Sequence, residues 1–201
     1  MDDAKFMVAG IQAKVDSTWS YEPQLKHLEM FLGGNMPPKQ ANVVDFGCGI
    51  GRIARTLAQY GCTVTGIDVS TEMLSYAKEY CKDFREVIEF HLSDGHGCTG
   101  VGDEWADLVV TQFVFQHMPS MQVIFDNLSD FHRVLKNGGR AVIQTNKRGT
   151  EDESQPACYQ GVNTSPKEFS RVAESAGLTV VELNDPYGNL EDEWFRIVLE
   201  K

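Results

Sequence analysis

Apolar runs and amphipathic stretches alternate along most of this chain. Short runs rich in Val, Ile and Leu predict buried strands, and the stretches between them repeat apolar side chains every three to four residues, which predicts helices. Five such runs lie at 42–46, 62–67, 87–92, 107–115 and 140–145. Strands that alternate with helices in this way predict a parallel sheet covered by helices on both faces.

The predicted helices between these strands have recognisable start and stop residues. The first covers 52–60 and ends at Gly61, the second follows Ser70 as N-cap, and the third begins near Pro119 and is ended by a glycine pair at 138–139. The apolar faces of the second and third helices are formed by Met73, Ala77, Tyr80 and Phe84, and by Ile124, Leu128, Phe131 and Leu135.

The last quarter of the chain begins with a polar segment, 147–160, which predicts a loop. Ser165 and Glu168 then form a capping box with Pro166 at the first helical position, so a helix is expected from there to Ala176, closed by Gly177. Two further strands are predicted at 178–183 and 194–199, joined by a turn region at 186–188.

Composition limits the kind of protein. The chain has 201 residues, of which 42% are hydrophobic, and this suits one soluble domain. A formal net charge of −11 disfavours nucleic-acid partners. Five cysteines without a C-x-x-C pair indicate a reducing compartment, and we expect a cytoplasmic protein without a signal peptide or a membrane partner.

Three glycines follow the first predicted strand and raise the question of a ligand. Gly47, Gly49 and Gly51 allow the backbone to approach a bulky ligand closely. Their spacing departs from the dinucleotide motif G-x-G-x-x-G, because Arg52 occupies the place of the last glycine. Asp45 stands just ahead of the turn, where it would repel an incoming phosphate, so a ligand with positive charge is favoured.

At these residues the chain resembles a known family. V-D-F-G-C-G-I-G is similar to the first motif of the class I S-adenosylmethionine-dependent methyltransferases, whose cofactor is a sulfonium cation. The likeness continues in G-I-D-V-S, D-L-V-V-T-Q-F and V-L-K-N-G-G at matching intervals. The resemblance implies S-adenosylmethionine as cofactor and S-adenosylhomocysteine as product.

The resemblance also implies which residues bind the cofactor. Asp68 would accept hydrogen bonds from the ribose, Val69 and Met73 would flank the adenine, and Gln112 would approach the methionine part. The adenine amino group would be read by the segment Ser93, Asp94 and Gly95. The full expected set is Asp45, Gly47, Cys48, Gly49, Gly51, Asp68, Val69, Met73, Ser93, Asp94, Gly95 and Gln112.

The implied architecture is an α/β, Rossmann-like, doubly wound sheet of seven strands, mostly parallel with an antiparallel last strand. We expect a single domain over 1–201, in which 41–146 form the cofactor-binding core. Residues 1–40 would form a helical segment that covers the site, and 147–201 would supply a lid loop, a helix and the last two strands.

Catalytic groups are harder to predict, because methyl transfer depends mainly on positioning. His117 follows the fourth strand and Tyr21 precedes the first, and they are the candidates for a base or a lid residue. A metal site in 91–98, where His91, Asp94, His96 and Cys98 occur, is weighed against ordinary roles at a strand end, and no metal is expected.

The acceptor is expected to be a small molecule, methylated on oxygen or nitrogen and less readily on sulfur or carbon. The D/N-P-P-Y motif of nucleic-acid-modifying relatives is absent after the fourth strand. Two alternatives stay open at this point: a non-catalytic S-adenosylmethionine-binding protein and a nicotinamide-dependent oxidoreductase of Rossmann type. A monomer or homodimer is expected.

Overall fold

The computed structural model describes residues 20–146, 161–184 and 194–201. The predicted polar loop and the 186–188 turn region therefore lie outside the described residues. The strands are β1 Asn42–Phe46, β2 Thr63–Asp68, β3 Ile88–Leu92, β4 Ala106–Gln112, β5 Leu135–Asn146, β6 Thr179–Asn184 and β7 Trp194–Glu200. The helices are α1 Tyr21–Leu32, α2 Arg52–Tyr60, α3 Thr71–Tyr80, α4 Met121–Val134 and α5 Pro166–Ser175.

The seven strands form one sheet in the order β3-β2-β1-β4-β5-β7-β6. The pairs among β1 to β5 are parallel, and β7 lies antiparallel between β5 and β6. The predicted doubly wound, mostly parallel sheet with an antiparallel last strand is confirmed. From β1 the chain builds outward through β2 and β3, then returns to add β4 and β5 on the other side, so the strand order reverses between β1 and β4.

Two apolar layers cover the sheet, because alternate strand residues face opposite sides. One layer packs α1 and α2 on strand residues such as Val43, Leu108 and Val142. The other packs α4 and α5 on the opposite face, around Phe131 and Phe169. The capping box predicted at the start of α5 is present, with both reciprocal hydrogen bonds formed.

Several predicted boundaries differ from the structure, among them the end of the second predicted helix, since Phe84 lies in a separate 3₁₀ turn, Lys82–Phe84. Two further differences change the course of the backbone. The strand predicted to reach position 115 stops at Gln112, because Phe113 adopts a φ of +63° that turns the chain into a short 3₁₀ segment, Phe115–His117. The third predicted helix ends at Val134, and Leu135, which continues its apolar face, has extended backbone and begins β5.

A buried arginine fixes α1 to the sheet. Arg196 on β7 donates from Nη1 to the carbonyl of Phe31 at 3.1 Å, near the carboxyl end of α1, and also pairs with Glu182. A cation beside the last carbonyls of a helix complements the helix dipole. Helix α1 belongs to the segment 1–40 that was expected to cover the site. The contact with Arg196 anchors this helix to β7.

Candidate functional site

The candidate site lies at the carboxyl ends of β1 and β4, where the strand order reverses. Ligands of doubly wound sheets bind in the crevice at this place. The glycine turn follows β1 there, and Val114, just after β4, packs against it, since a Cβ on Gly47 would stand 2.3 Å from Val114 Cγ2. The two chain segments that border the crevice are thus in contact.

The three glycines of the turn serve different purposes, although all have positive φ. A Cβ on Gly51 would meet Cys81 Sγ at 2.9 Å, so Gly51 and Gly47 are required by close protein packing. A Cβ on Gly49 would have no described atom within 4 Å. Gly49 is therefore the residue whose bare backbone faces open space, where a ligand can approach it.

Asp68, at the end of β2, is held beside Gly49. Its Oδ2 accepts from the Gly49 amide at 2.8 Å, and its Oδ1 accepts from the Ser70 amide at 2.9 Å. Each carboxylate oxygen can accept more than one hydrogen bond, so both keep capacity for a ligand's hydroxyl groups. The carboxylate, the open glycine and the start of α3 form one rigid corner.

Asp45 has a different place from the one argued from the sequence. Its side chain is 2% exposed, and Oδ2 accepts from the Ala54 amide at 2.9 Å near the start of α2. The carboxylate therefore faces the helix and not an incoming phosphate, because a side chain on this face of β1 is directed toward α2. Asp45 shapes the glycine turn from behind.

Residues expected to hold an adenine ring lie together at the β2–β3 end of the crevice. Val69 is 65% exposed, and its Cγ1 would lie 3.8 Å from a Cβ on Gly95. Met73 is buried at the start of α3, where its amide donates to Ser70 Oγ. Ser93 Oγ accepts from the Gly95 amide at 3.0 Å, while Asp94 is exposed.

Asn127 on α4 holds this loop and was not predicted. Its Oδ1 accepts from the Gly97 amide at 2.7 Å, and its Nδ2 donates to the Gly95 carbonyl at 3.0 Å. The available signal in the sequence was an asparagine on the apolar face of a predicted helix. In the structure Asn127 is fully buried, and a buried amide requires polar partners.

Cys48, in the middle of the glycine turn, is a buried free thiol. Burial, followed by the negative charges of Asp45 and Asp68, raises the pKa of its thiol well above the usual value. A thiol without its proton is the nucleophilic form, so Cys48 is unsuited to nucleophilic chemistry here.

A polar cluster lies between α1 and the sheet at the carboxyl ends of β4 and β5, and we call it the crevice polar cluster. Arg52 donates from Nη1 to Gln24 Oε1 and from Nη2 to Gln112 Oε1, both at 3.0 Å. Gln112 Nε2 donates to Gln144 Oε1 at 2.7 Å. His27 Nε2 lies 3.3 Å from Gln112 Oε1.

Of this cluster only Gln112 was predicted as a site residue. Burial is the main influence on His27 and lowers its pKa, partly opposed by the hydrogen bond with Gln112. His27 is therefore neutral near pH 7 and keeps a nitrogen lone pair. The cluster brings together residues more than a hundred positions apart, so no local motif indicates it.

The two catalytic candidates from the sequence do not join this cluster. His117 is exposed in the 3₁₀ segment after β4, and its amide donates to the Val114 carbonyl at 2.9 Å. Burial, then Tyr60, Glu29 and Cys62, raises the pKa of Tyr21. Cys62 directly precedes β2, so it lies at the amino ends of the parallel strands, and the crevice lies at their carboxyl ends. The assignment of either residue to catalysis stays a prediction.

An aromatic pair borders the other side of the crevice. Phe113 is 37% exposed and stacks edge-to-face on Trp194, with ring centroids 4.9 Å apart. A positive φ is rare for a phenylalanine, and strained backbone of this kind is concentrated at functional sites. Because Trp194 pairs with Asn146 at the end of β5, the aromatic pair lies beyond Gln112, away from Asp68.

The side chains weighed as metal ligands are engaged separately. His91 lies 3.5 Å from Glu89, His96 lies 3.4 Å from Asp126, and Cys98 is buried. Within the described ranges, no group of three or more His, Cys, Asp or Glu side chains is arranged to hold an ion. No helix in the same ranges is long and apolar enough to cross a membrane.

Comparisons with known proteins agree on one kind of chemistry. Residues 44–143 match the family model described as a methyltransferase domain. A demethylmenaquinone methyltransferase of Tropheryma whipplei is 38% identical over 101 residues, which cover 50% of this chain and 40% of that protein. A ubiquinone biosynthesis O-methyltransferase of Coxiella burnetii is 24% identical over 181 residues, covering 80% of this chain and 71% of the relative.

Solved structures share the fold. A TehB-like S-adenosylmethionine-dependent methyltransferase of Corynebacterium glutamicum has a TM-score of 0.73 at 23% identity, covering 99% of this chain and 98% of its own. An N-methyltransferase of Haemonchus contortus, in complex with phosphomonomethylethanolamine and S-adenosylhomocysteine, has a TM-score of 0.70 at 21% identity, covering 90% of this chain and 53% of its own. The chain spans only about two fifths of the Tropheryma relative.

Proposed function

This chain belongs to the S-adenosylmethionine-dependent methyltransferases, and we propose that it transfers the methyl group to an oxygen or nitrogen atom of a small-molecule acceptor. The observation that carries the proposal is the corner made by Asp68 and Gly49. A carboxylate that is fixed at 2.8 Å from the amide of an open glycine suits a ribose with two adjacent hydroxyls.

From the order of the strands we propose which part of the cofactor each group of residues binds. In this assignment adenine lies at the β2–β3 end, on Val69, Met73 and the Ser93–Gly95 loop, and ribose lies on Asp68. The amino-acid part extends past Gly49 toward Gln112 on β4. Gly47, Gly51, Cys48 and Asp45 shape the turn from behind. The exposed Asp94 keeps its expected role as a contact to the adenine amino group.

In this proposal the chain contributes mainly the positioning of the reacting groups. When bound, the sulfonium supplies an activated methyl carbon with a neutral thioether as leaving group. The residues around the crevice would hold an acceptor atom in line with that carbon, and such positioning can supply much of the rate enhancement in transfers of this type. His27, neutral and close to Gln112, has a lone pair that can take the proton from an oxygen or nitrogen nucleophile.

The acceptor side of the crevice favours a ligand with a flat apolar part. Phe113 and Trp194 present aromatic surface beyond the proposed methionine position, and aromatic side chains stack well on rings. The relatives named for demethylmenaquinone and for ubiquinone biosynthesis are consistent with this choice. We therefore propose a ring-bearing acceptor with a hydroxyl or amino group.

The charge and the cysteines support a proposal for the cellular location and the partners of the protein. All four described cysteines, Cys48, Cys62, Cys81 and Cys98, are free, which supports a reducing, cytoplasmic location. The net charge of −11 favours a small molecule over a nucleic acid as acceptor. Whether the protein is a monomer or a homodimer stays a prediction that light scattering can test.

Calorimetry tests the cofactor site. Wild type is expected to bind S-adenosylhomocysteine and to show no binding of NADH. Asp68→Ala should weaken S-adenosylhomocysteine binding by ~1–3 kcal/mol, because the ribose hydroxyls lose a charged acceptor. Asp83→Asn, at an exposed position, is the control. Equal affinity of Asp68→Ala and wild type would refute the ribose assignment.

Transfer of labelled methyl groups to a panel of phenols, quinols and aromatic amines tests the activity. Incorporation that falls on Phe113→Ala while S-adenosylhomocysteine still binds would support the acceptor side as described. Tight cofactor binding without incorporation into any panel member would favour a binding protein over an enzyme.

A further inference from the structure

Arg52 occupies an unfavourable place for a cation. It is the first residue of α2, and its backbone follows Gly51 directly. The amino end of a helix carries partial positive charge, so an arginine there opposes the helix dipole. A residue that breaks a local rule without a local gain is a candidate for function.

The charge of Arg52 is met by neutral groups. Its Nη1 and Nη2 donate to the amide oxygens of Gln24 and Gln112, at 3.0 Å each. Among the described residues no carboxylate forms an ion pair with it. The charge of Asp45 acts on the Arg52 guanidinium, but Asp45 is buried and its Oδ2 already accepts a hydrogen bond from the Ala54 amide. The guanidinium therefore retains a charge that an anion can neutralise.

The position of Arg52 indicates which anionic group of a bound ligand it can contact. Asp68 and Gly49 lie on the β2 side of the turn, whereas Gln112 ends β4, so Arg52 stands on the side opposite the corner made by Asp68 and Gly49. Gln144 fixes the Gln112 amide with its oxygen toward Arg52, because Gln112 Nε2 donates to Gln144 Oε1 at 2.7 Å. The guanidinium is thus held in one orientation next to the proposed amino-acid end of the cofactor.

We propose that Arg52 binds the carboxylate of the cofactor's amino-acid part, with the oxygens of Gln24 and Gln112 holding the guanidinium in place. This inference rests on the proposed function, since it assigns one more contact within the same site. Two parallel N–H donors match the two oxygens of a carboxylate, and such charge-assisted pairs are stronger than neutral hydrogen bonds. Gln24 lies on α1, so the contact also links the covering helix to the cofactor.

A purely structural role makes a different prediction. If Arg52 only tethers α1 to β4, its loss would weaken every adenosine ligand equally or would lower stability alone. If it binds the carboxylate, its loss would weaken only ligands that carry one. Two ligands that differ in that group separate the two roles.

The experiment measures the affinities of S-adenosylhomocysteine and its decarboxylated analogue, S-adenosyl-3-thiopropylamine, by calorimetry. Wild type should prefer the carboxylated ligand by about 10- to 100-fold, as expected for a charged hydrogen-bonded pair. Arg52→Gln should reduce that preference to about threefold or less and leave the affinity for the decarboxylated analogue nearly unchanged. Arg52→Lys, which keeps the charge but not the fork, should retain an intermediate preference.

Arg55→Gln is the matched control, because Arg55 lies on the same helix and donates to the Tyr80 carbonyl, away from the crevice. It should keep the wild-type preference. An unchanged preference in Arg52→Gln, or an equal loss of affinity for both ligands, would overturn the proposal. Failure of wild type to bind S-adenosylhomocysteine at all would instead contradict the cofactor assignment beneath it, and thermal melts show whether each variant is folded.

Discussion

Replacement of Asp45 by asparagine should remove a pH dependence of stability. Burial raises the pKa of the Asp45 carboxyl from its usual 3.8 to about 7, against the opposing effects of the Ala54 amide and Arg52. The folded state thus holds this proton more tightly than the unfolded state. The stabilising contribution of the protonated group is complete below pH 3.8 and is lost as the pH rises through about 7.

The magnitude follows from the difference between the two pKa values. About three pKa units separate them, and each unit corresponds to about 1.4 kcal/mol, so up to about 4 kcal/mol of stability is at stake. Asp45→Asn keeps an oxygen that can accept from the Ala54 amide and has no proton to lose. Relative to this variant, wild type should lose about 2–4 kcal/mol of unfolding free energy between about pH 4 and about pH 8.

Urea denaturation without cofactor, followed by tryptophan fluorescence, measures this difference at several pH values. Asp83→Asn makes the same chemical change at an exposed site and serves as the control. A wild-type-minus-Asp45→Asn difference that stays flat from acid to neutral pH would refute the reasoning, because the buried carboxyl would then titrate as it does in the unfolded chain.

Three further predictions concern backbone and packing. Gly49→Ala should lower the unfolding free energy by about 1 kcal/mol because its φ is positive, and it should also weaken S-adenosylhomocysteine binding. Gly47→Ala should lower the unfolding free energy in urea melts by about 1–3 kcal/mol more than Gly49→Ala, since its Cβ would overlap Val114. Phe113→Gly should be about 1 kcal/mol more stable than Phe113→Ala, because only glycine adopts a φ of +63° without strain; equal stabilities would contradict this. Ser165→Ala should lower the unfolding free energy by about 1 kcal/mol through loss of the capping box, and an unchanged thermal melt would contradict it.

The parts of the fold that could be predicted are those specified by local chemistry. β1 and α2 have the predicted bounds, because a short apolar run meets a glycine turn and the helix ends at a second glycine, Gly61. The capping box at Ser165 was equally explicit. In each case neighbouring residues supply both the signal and the partner that satisfies it.

The errors arose where hydrophobicity continues but the backbone does not. Phe113 extends the apolar run of β4, yet its φ is positive, and no pattern of apolar positions specifies a backbone angle. Leu135 suits the apolar face of a helix and the first position of a strand equally well. In the folded protein it is the first residue of β5. Tertiary contacts determine such residues, so local periodicity alone is insufficient.

The candidate site also has parts that local motifs indicate and parts that depend on tertiary contacts. Gly49 and Asp68 could be expected to lie close together because they follow two consecutive strands, and the structure shows the hydrogen bond between them. The crevice polar cluster could not be predicted, since His27 and Gln24 look like the polar positions of an ordinary helix until α1 is placed on the sheet. Arg52 was noticed only as a departure from the dinucleotide motif.

That departure gains a physical meaning once Asp68 and Arg52 are considered together. Gly49, which has open space above it, lies between an acid on the β2 side and a cation on the β4 side. A pyrophosphate would place its negative charges directly on the turn, within reach of the Asp68 carboxylate. A ligand with hydroxyls at one end and a carboxylate at the other satisfies both side chains, and the bare turn leaves room for its middle. The proposed contact of Arg52 gives this position a purpose, because a cation there supplies a counter-charge for a carboxylate where a dinucleotide-binding turn requires close helix packing.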